Sequence, residues 1–283
     1  MAAVQPRKPP SDAEAICEAV TRPTMRFVSV KSAERQAALL DHKARDFLVR
    51  QRTQTVNAIR AHLSEFGPCG PWFDRNAPPE RFVRASPHPS PSVVAKGIHN
   101  LDRLLEAAGD VPEAARPALD LFVGQLHDLE ERIDIATARI TAAQKTDLLA
   151  RRLATIPGFG PIASSAFAAT TPDVTAFRSA RDYAAWLGLT PRAHSSGGQE
   201  RLGRISKAGN RYLRRLLFLG AMARISARRG RRVVPADQQA PDWLDRMLAR
   251  KPVKVVAVAL AARMARTAWA LIAHEDSYRA VPG

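Results

Sequence analysis

The sequence predicts a mainly α-helical protein in which long rods precede a compact helical domain. Three observations carry this reading. Apolar residues recur at helical spacing over two long stretches, and Gly and Pro punctuate the chain after residue 153 at intervals suited to several shorter helices. No good run of alternating apolar and polar residues, the mark of a half-buried strand, occurs anywhere.

Residues 11–21 (SDAEAICEAVT) predict a short helix: Ser11 can cap it, Glu14 stands three residues on, and Pro23 ends it. Residues 31–66 predict the first rod. There Val49, Val56, Ile59, Leu63 and Phe66 make one apolar stripe on a highly charged surface, and Gly67 and Pro68 stop it. Residues 67–92 predict an irregular linker, since 67–91 hold seven prolines and no apolar period.

Residues 93–150 hold the second rod, whose regular pattern starts near Pro112. Leu119, Phe122, Leu126, Leu129, Ile133, Ala136 and Ile140 alternate spacings of three and four, an a/d coiled-coil seam. Such a seam packs either against the first rod as an antiparallel hairpin or against a second copy of the chain, giving a homo-oligomer. Residues 151–283 predict helices at 178–187, 208–227, 242–249 and 253–274, separated at Gly188, Pro191, Gly197, Gly198, Gly203, Gly209, Gly230 and Pro235.

Charge divides the chain. Residues 1–150 hold 20 Lys/Arg against 19 Asp/Glu; residues 151–283 hold 23 against 8, which accounts for nearly all of the net charge of +16. A balanced half joined to a strongly basic half predicts a polyanionic partner for the second. Other classes recede. Residues 1–12 have no apolar run, so no secretory signal is predicted. The most apolar stretch, 255–262, is too short to span a bilayer and is flanked by Lys254 and Arg263, so no membrane partner is expected. Cys17 and Cys69, the only cysteines, lack metal-ligand spacing and make no disulfide framework. A reduced, cytoplasmic and nucleoid-associated setting is expected.

Three segments of the basic half carry chemistry. In residues 153–166 (LATIPGFGPIASSA), Ile156 and Pro157 precede Gly158-Phe159-Gly160 and a run of small residues opening a helix. This is the helix-hairpin-helix pattern: Gly158 and Gly160 allow a tight turn, and free N–H groups at the next helix start face a DNA phosphate. The plainer alternative is a turn between two helices.

Residues 181–232 hold 13 Arg/Lys against Asp182 and Glu200 alone. Arg204, Lys207, Arg211, Arg214 and Arg215 recur at helical spacing among leucines, a basic face for phosphates opposite an apolar one for the core. Twelve of the 13 are Arg, whose fork suits phosphate. In residues 190–201 (TPRAHSSGGQER), two serines precede a Gly pair among Arg192, Arg201 and Arg204. An alcohol among guanidiniums suits attack on a phosphodiester, because Arg stabilises charge developing at phosphorus. Ser-Ser-Gly-Gly also reads as an ordinary turn, and His194 as either a proton acceptor or a merely exposed loop residue.

Taken in order, these blocks resemble the transposases of insertion sequences related to the pilin-gene invertase Piv, which join a RuvC-like (DEDD) domain to a serine-bearing transposase domain and in some cases use a bridge RNA. The resemblance is carried by IPGFGPIASSAFAA, FRSARDYAAWLGLTPRAHSSGG and RLGRISKAGNRYLRRLLFLGA within residues 153–225, and more weakly by residues 12–67 and the rods. It implies that Ser196 is the nucleophile that links to DNA, and that a guide RNA is a partner. It also implies an RNase H-like sheet whose four acidic residues hold Mg²⁺.

The last of those four matches Asp12, as both catalytic and metal-binding residue. The preceding acid should fall three residues earlier, where Pro9 stands, and the two upstream acids have no room before Met1. Glu14 and Glu18 do not match the implied positions. The sequence-level expectation is therefore that residues 1–30 are a remnant of the RuvC-like domain, with its sheet largely missing and Mg²⁺ poorly held. Residues 151–283 would form the DNA-binding, serine-bearing transposase domain. The expected function is DNA transposition with Ser196 as nucleophile, catalytically impaired in this copy. The alternatives are a non-catalytic DNA-binding repressor or competitor of intact transposase, and an RNA-binding module.

Overall fold

The structure, a computed structural model, describes residues 12–23, 30–65, 112–193, 202–230 and 242–278. The fold is mainly α. Among the described residues lie α1 (Asp12–Thr21), α2 (Ala33–Glu65), α3 (Arg116–Thr146), α4 (Leu148–Leu153), α5 (Pro161–Thr170), α6 (Ala180–Trp186), α7 (Arg211–Gly230), α8 (Trp243–Arg250) and α9 (Val253–Ala273). Their one sheet is an antiparallel pair, β1 (Pro191–Ala193) and β2 (Leu202–Ile205). The proline-rich segment 67–92 lies outside the described residues, as do residues 1–11 and 93–111.

The two rods, α2 and α3, pack against each other within the chain. Asp41 pairs with Arg139 at 3.1 Å, Arg45 Nε donates to Thr137 Oγ1 at 2.7 Å, and Arg52 meets Glu130 at 3.4 Å. Further along, the rings of His62 and Phe122 stack at 5.6 Å. Partner numbers fall as α2 advances, so the rods run antiparallel. Leu119, Leu126, Leu129, Ile133 and Ile140 bury the α3 seam, and Ile59 and Leu63 bury the facing stripe of α2. Of the two pairings the seam allows, this one covers it within one chain.

The second rod stops earlier than residue 150, and one carboxylate explains why. Asp147 leaves helical conformation (φ −80°, ψ 115°), and its Oδ1 accepts the N–H groups of Leu149 at 2.8 Å and Ala150 at 3.1 Å. It thereby closes α3 and caps α4.

Two buried helices hold the molecule together. In α5, every residue from Ala163 to Thr170 is buried; a helix apolar or small on all sides belongs in an interior. It packs against α2, α3, α4 and α7, joining the rods to the basic half. The other, α9, buries Val256, Ala257, Leu260, Ala261, Met264, Ala265, Ala268 and Leu271, and packs on α4, α6, α7 and α8. By length and composition α9 is long and apolar enough to cross a membrane, which the shorter run 255–262 is not. Its buried face and four packed neighbours make it a core helix here.

Candidate nucleic-acid interface

The β1–β2 hairpin, which no alternating pattern announced, is the centre of the candidate site. Pro191 pairs with Ile205 and Ala193 with Leu202. Strands of three and four residues interrupted by Pro191 and Gly203 carry too little pattern to read from sequence. The predicted nucleophile Ser196 falls between the strands, together with His194 and Arg201, and all three lie outside the described residues.

Contacts at the two feet of the hairpin hold it in place. The Ser206 N–H donates to the Thr190 carbonyl at 2.9 Å and the Lys207 N–H to the Gly188 carbonyl at 3.1 Å. Gly188 (φ +72°) and Gly209 (φ +71°) let the feet touch backbone to backbone. A Cβ at Gly188 would lie 2.0 Å from the Ala208 carbonyl oxygen, and one at Gly209 would lie 1.9 Å from that of Trp186. Neither of these two positions therefore tolerates a side chain. Just beyond, the Asn210 side chain accepts the N–H groups of Tyr212 at 2.8 Å and Leu213 at 3.3 Å and starts α7.

The basic residues expected to bind DNA divide by what they touch. Arg204, Lys207 and Arg211 are exposed, and their side chains have no partner among the described residues. Lys207 takes a left-handed conformation (φ +56°) at the turn out of β2. Arg192 is exposed and donates across the hairpin to the Ser206 carbonyl at 3.1 Å. Two others are engaged inward. Arg214 Nη1 donates to the carbonyls of Leu187, at 3.1 Å, and Ala208. Burial, then the neighbouring Arg211, lowers the Arg214 pKa from its ordinary value. Arg215 pairs with Asp46 of α2 and stands 5.3 Å from the Tyr212 ring centroid. Their helical spacing matches that of phosphate ligands, yet both guanidiniums have protein partners.

The Gly158–Gly160 turn also separates into parts. Gly158 has φ +97° and packs against α7, where Gly220 lets the backbones meet. Gly160 has φ −79°, and a Cβ there would meet nothing within 4 Å, so the turn does not require glycine at that position. Gly160 and Pro161 are exposed at the start of α5, while Ile156 and Phe159 are buried.

Sequence reasoning missed His42. It is 2% exposed, with Nε2 3.1 Å from Ser165 Oγ on α5 and Nδ1 3.2 Å from the Tyr212 hydroxyl on α7. Burial, reinforced by Arg45 and opposed by Asp41, pushes its pKa down to about 4. The imidazole is therefore neutral at pH 7, acting as a hydrogen-bonded link between the rod and the basic half. A lone histidine on a charged rod gave no sign of this.

Asp12, the expected metal ligand, is the first residue of α1. Among the described residues no three His, Cys, Asp or Glu side chains converge as a metal site requires. No step below runs through a metal.

Comparison with known proteins sets this geometry in a family. Residues 150–234, from the end of α4 past the hairpin and α7, match the IS116/IS110/IS902 transposase family model. A Sinorhizobium fredii protein that carries the name transposase y4pF/y4sB is 41% identical over 96% of this chain and 64% of its own length. A Pseudomonas aeruginosa protein named as a family 20 transposase is 41% identical over 95% of the chain and 72% of its own. The transposase for insertion sequence element IS1328 of Yersinia enterocolitica is 36% identical over 91% and 69%. The chain thus spans roughly two thirds of the length of these relatives. Over nearly all of its own length it is similar to them, and it belongs to the IS116/IS110/IS902 family of transposases.

Proposed function

We propose that this chain acts on DNA as a transposase, gripping the duplex backbone with the hairpin and the start of α7 and attacking a phosphodiester with Ser196. The observation that carries the reading is the charge on the described elements that precede and follow residues 194–201 in the sequence. Arg192 and Arg204 stand on the two flanking strands, Lys207 lies at the trailing turn and Arg211 opens α7, all exposed. Four exposed cations on the two strands, the turn out of β2 and the start of α7 suit a backbone grip, which needs charge rather than base readout. In the proposed step the Ser196 Oγ bonds to phosphorus and its proton passes to solvent, while the P–O bond to one DNA strand breaks and the departing oxygen takes a proton from solvent to leave as a hydroxyl, so the phosphodiester is conserved for strand exchange.

The test is a covalent protein–DNA adduct and strand exchange, measured with wild type and Ser196→Ala beside duplex binding across salt. Adduct formation by the wild type alone supports the reading. Equal yield from both proteins removes Ser196 from the mechanism, and no binding at low salt removes the DNA-acting role.

A second reading has one observation in its favour: Pro9 stands where the resemblance places one of the four acids. On it, this copy is catalytically impaired or inactive, binds DNA and competes with intact transposase. Binding without any adduct is its signature. Under either reading a guide RNA and a second copy of the chain are further partners. Leu40, Phe47, Leu121 and Ile135 are exposed on the rods and offer a second copy apolar contacts.

A further inference from the structure

Arg214 stands where the two feet of the hairpin meet. The leading foot follows α6 and leaves the Leu187 carbonyl at that helix end; the trailing foot leaves the Ala208 carbonyl just before α7. One nitrogen of Arg214, Nη1, donates to both. Among the described residues the other ties at the feet are Ser206 to Thr190 and Lys207 to Gly188, both backbone hydrogen bonds, the Arg192 donation from β1 to the Ser206 carbonyl, and the close approaches at Gly188 and Gly209. Arg214 is the only charged side chain among the described residues that donates to carbonyls of both feet. A charge-assisted hydrogen bond to each also stabilises carbonyls that have no helical partner.

We propose that Arg214 is a positioning residue, holding the hairpin at a fixed angle to α6 and α7 so that its basic residues meet DNA together, and is not a phosphate ligand. This rests on the reading that the hairpin grips DNA. The consequence is thermodynamic. A phosphate ligand contributes independently of its neighbours, whereas a residue that sets the hairpin's placement contributes through Arg192, Arg204 and Lys207. Removing it weakens their contacts, so its loss and theirs do not add.

The experiment uses the full chain as wild type, Arg214→Gln, Arg214→Lys, Arg204→Gln and the Arg214→Gln/Arg204→Gln double variant. Without DNA, Arg214→Gln exchanges the amides of Ser206 and Lys207 about tenfold faster or more, because a charged hydrogen bond across the feet is gone. Arg214→Lys restores part of the protection, since an ammonium can also donate to two carbonyls. With a duplex DNA probe, each single glutamine variant binds about tenfold more weakly, and the double variant binds much less than a hundredfold more weakly.

Unchanged exchange with additive binding losses makes Arg214 a phosphate ligand and overturns the proposal. Faster exchange with unchanged DNA affinity makes it a structural residue without a positioning role, which also overturns it. If wild type binds no DNA at low salt, the functional reading fails instead, and the exchange arm still reports whether Arg214 locks the feet. Should Arg214→Gln fail to fold, Arg214→Lys alone and combined with Arg204→Gln replaces it in both arms, with smaller losses that must again be non-additive.

Discussion

Gly158 and Gly220 meet backbone to backbone. A Cβ on Gly158 would lie 2.9 Å from the Gly220 carbonyl oxygen, and one on Gly220 would lie 2.1 Å from that of Gly158. The turn that precedes α5 is thus seated on α7, the helix that follows the hairpin. This bears on the usual rule that Gly in a helix interior is worse than Ala by roughly 1 kcal/mol. At Gly220 the clash outweighs the helix preference: Gly220→Ala is expected to destabilise by about 1–3 kcal/mol. Gly158→Ala adds left-handed strain to the clash and should cost about 2–4 kcal/mol. Gly160→Ala meets open space at an ordinary φ and should stay within about 0.5 kcal/mol of wild type. Urea unfolding of the three variants checks the ranking, and an equal loss at Gly160 would refute the division of the turn.

His42 makes stability depend on pH with a definite sign. Its pKa is about 4 in the folded chain against an ordinary value near 6.5, so the unfolded chain binds a proton first as pH falls. The contribution is fully present above about pH 6.5, is lost progressively between about 6.5 and 4, and levels off below, for a total on the order of 3 kcal/mol. His42→Gln can keep a hydrogen bond to Ser165 or Tyr212 but does not titrate. The stability difference between wild type and this variant should therefore shift against the wild type from pH 7 to pH 4. A pH-independent difference would show that His42 does not titrate with folding.

What was legible in the sequence follows from how each feature is encoded. The seam from Leu119 to Ile140 repeats one signal over six turns, so the second rod stood out. Its end did not, because the stop is a single carboxylate, Asp147, inside a run that still looks helical. The hairpin is held by contacts between residues 186–190 and 206–209, non-local backbone geometry that leaves no alternating pattern. Gly188 and Gly209 were readable as breaks but not as the points where the backbones of Ala208 and Trp186 come close. Arg214 and Arg215 share the helical spacing of Arg204 and Arg211, and only the positions of the Leu187 carbonyl and Asp46 separate inward from outward charges.

Asp147 carries its own prediction. Its side chain satisfies two N–H groups at the start of α4, and loss of such a cap costs typically about 1 kcal/mol. Asp147→Ala should lose about that much in urea unfolding, and Asp147→Asn less than half of it, since an amide oxygen still accepts. Matching losses would mean that the carboxylate's charge, and not its geometry, sets the boundary between the rod and the basic half.

Salt dependence is the sharpest test of the division among the arginines. Each cation that neutralises a phosphate releases a counterion, so removing one lowers the slope of log affinity against log salt by about 0.9. Arg204→Gln, Lys207→Gln and Arg211→Gln, whose side chains have no partner among the described residues, should each lower the slope by about that amount. Arg215→Gln should behave differently, because its guanidinium already pairs with Asp46 on α2. It should leave the slope nearly unchanged and cost at most about 1 kcal/mol of stability, the pair being partly exposed. A slope loss for Arg215→Gln equal to that for Arg211→Gln would mean that Arg215 leaves Asp46 for a phosphate when DNA binds. The basic face would then extend a full turn further along α7 than its free charges indicate.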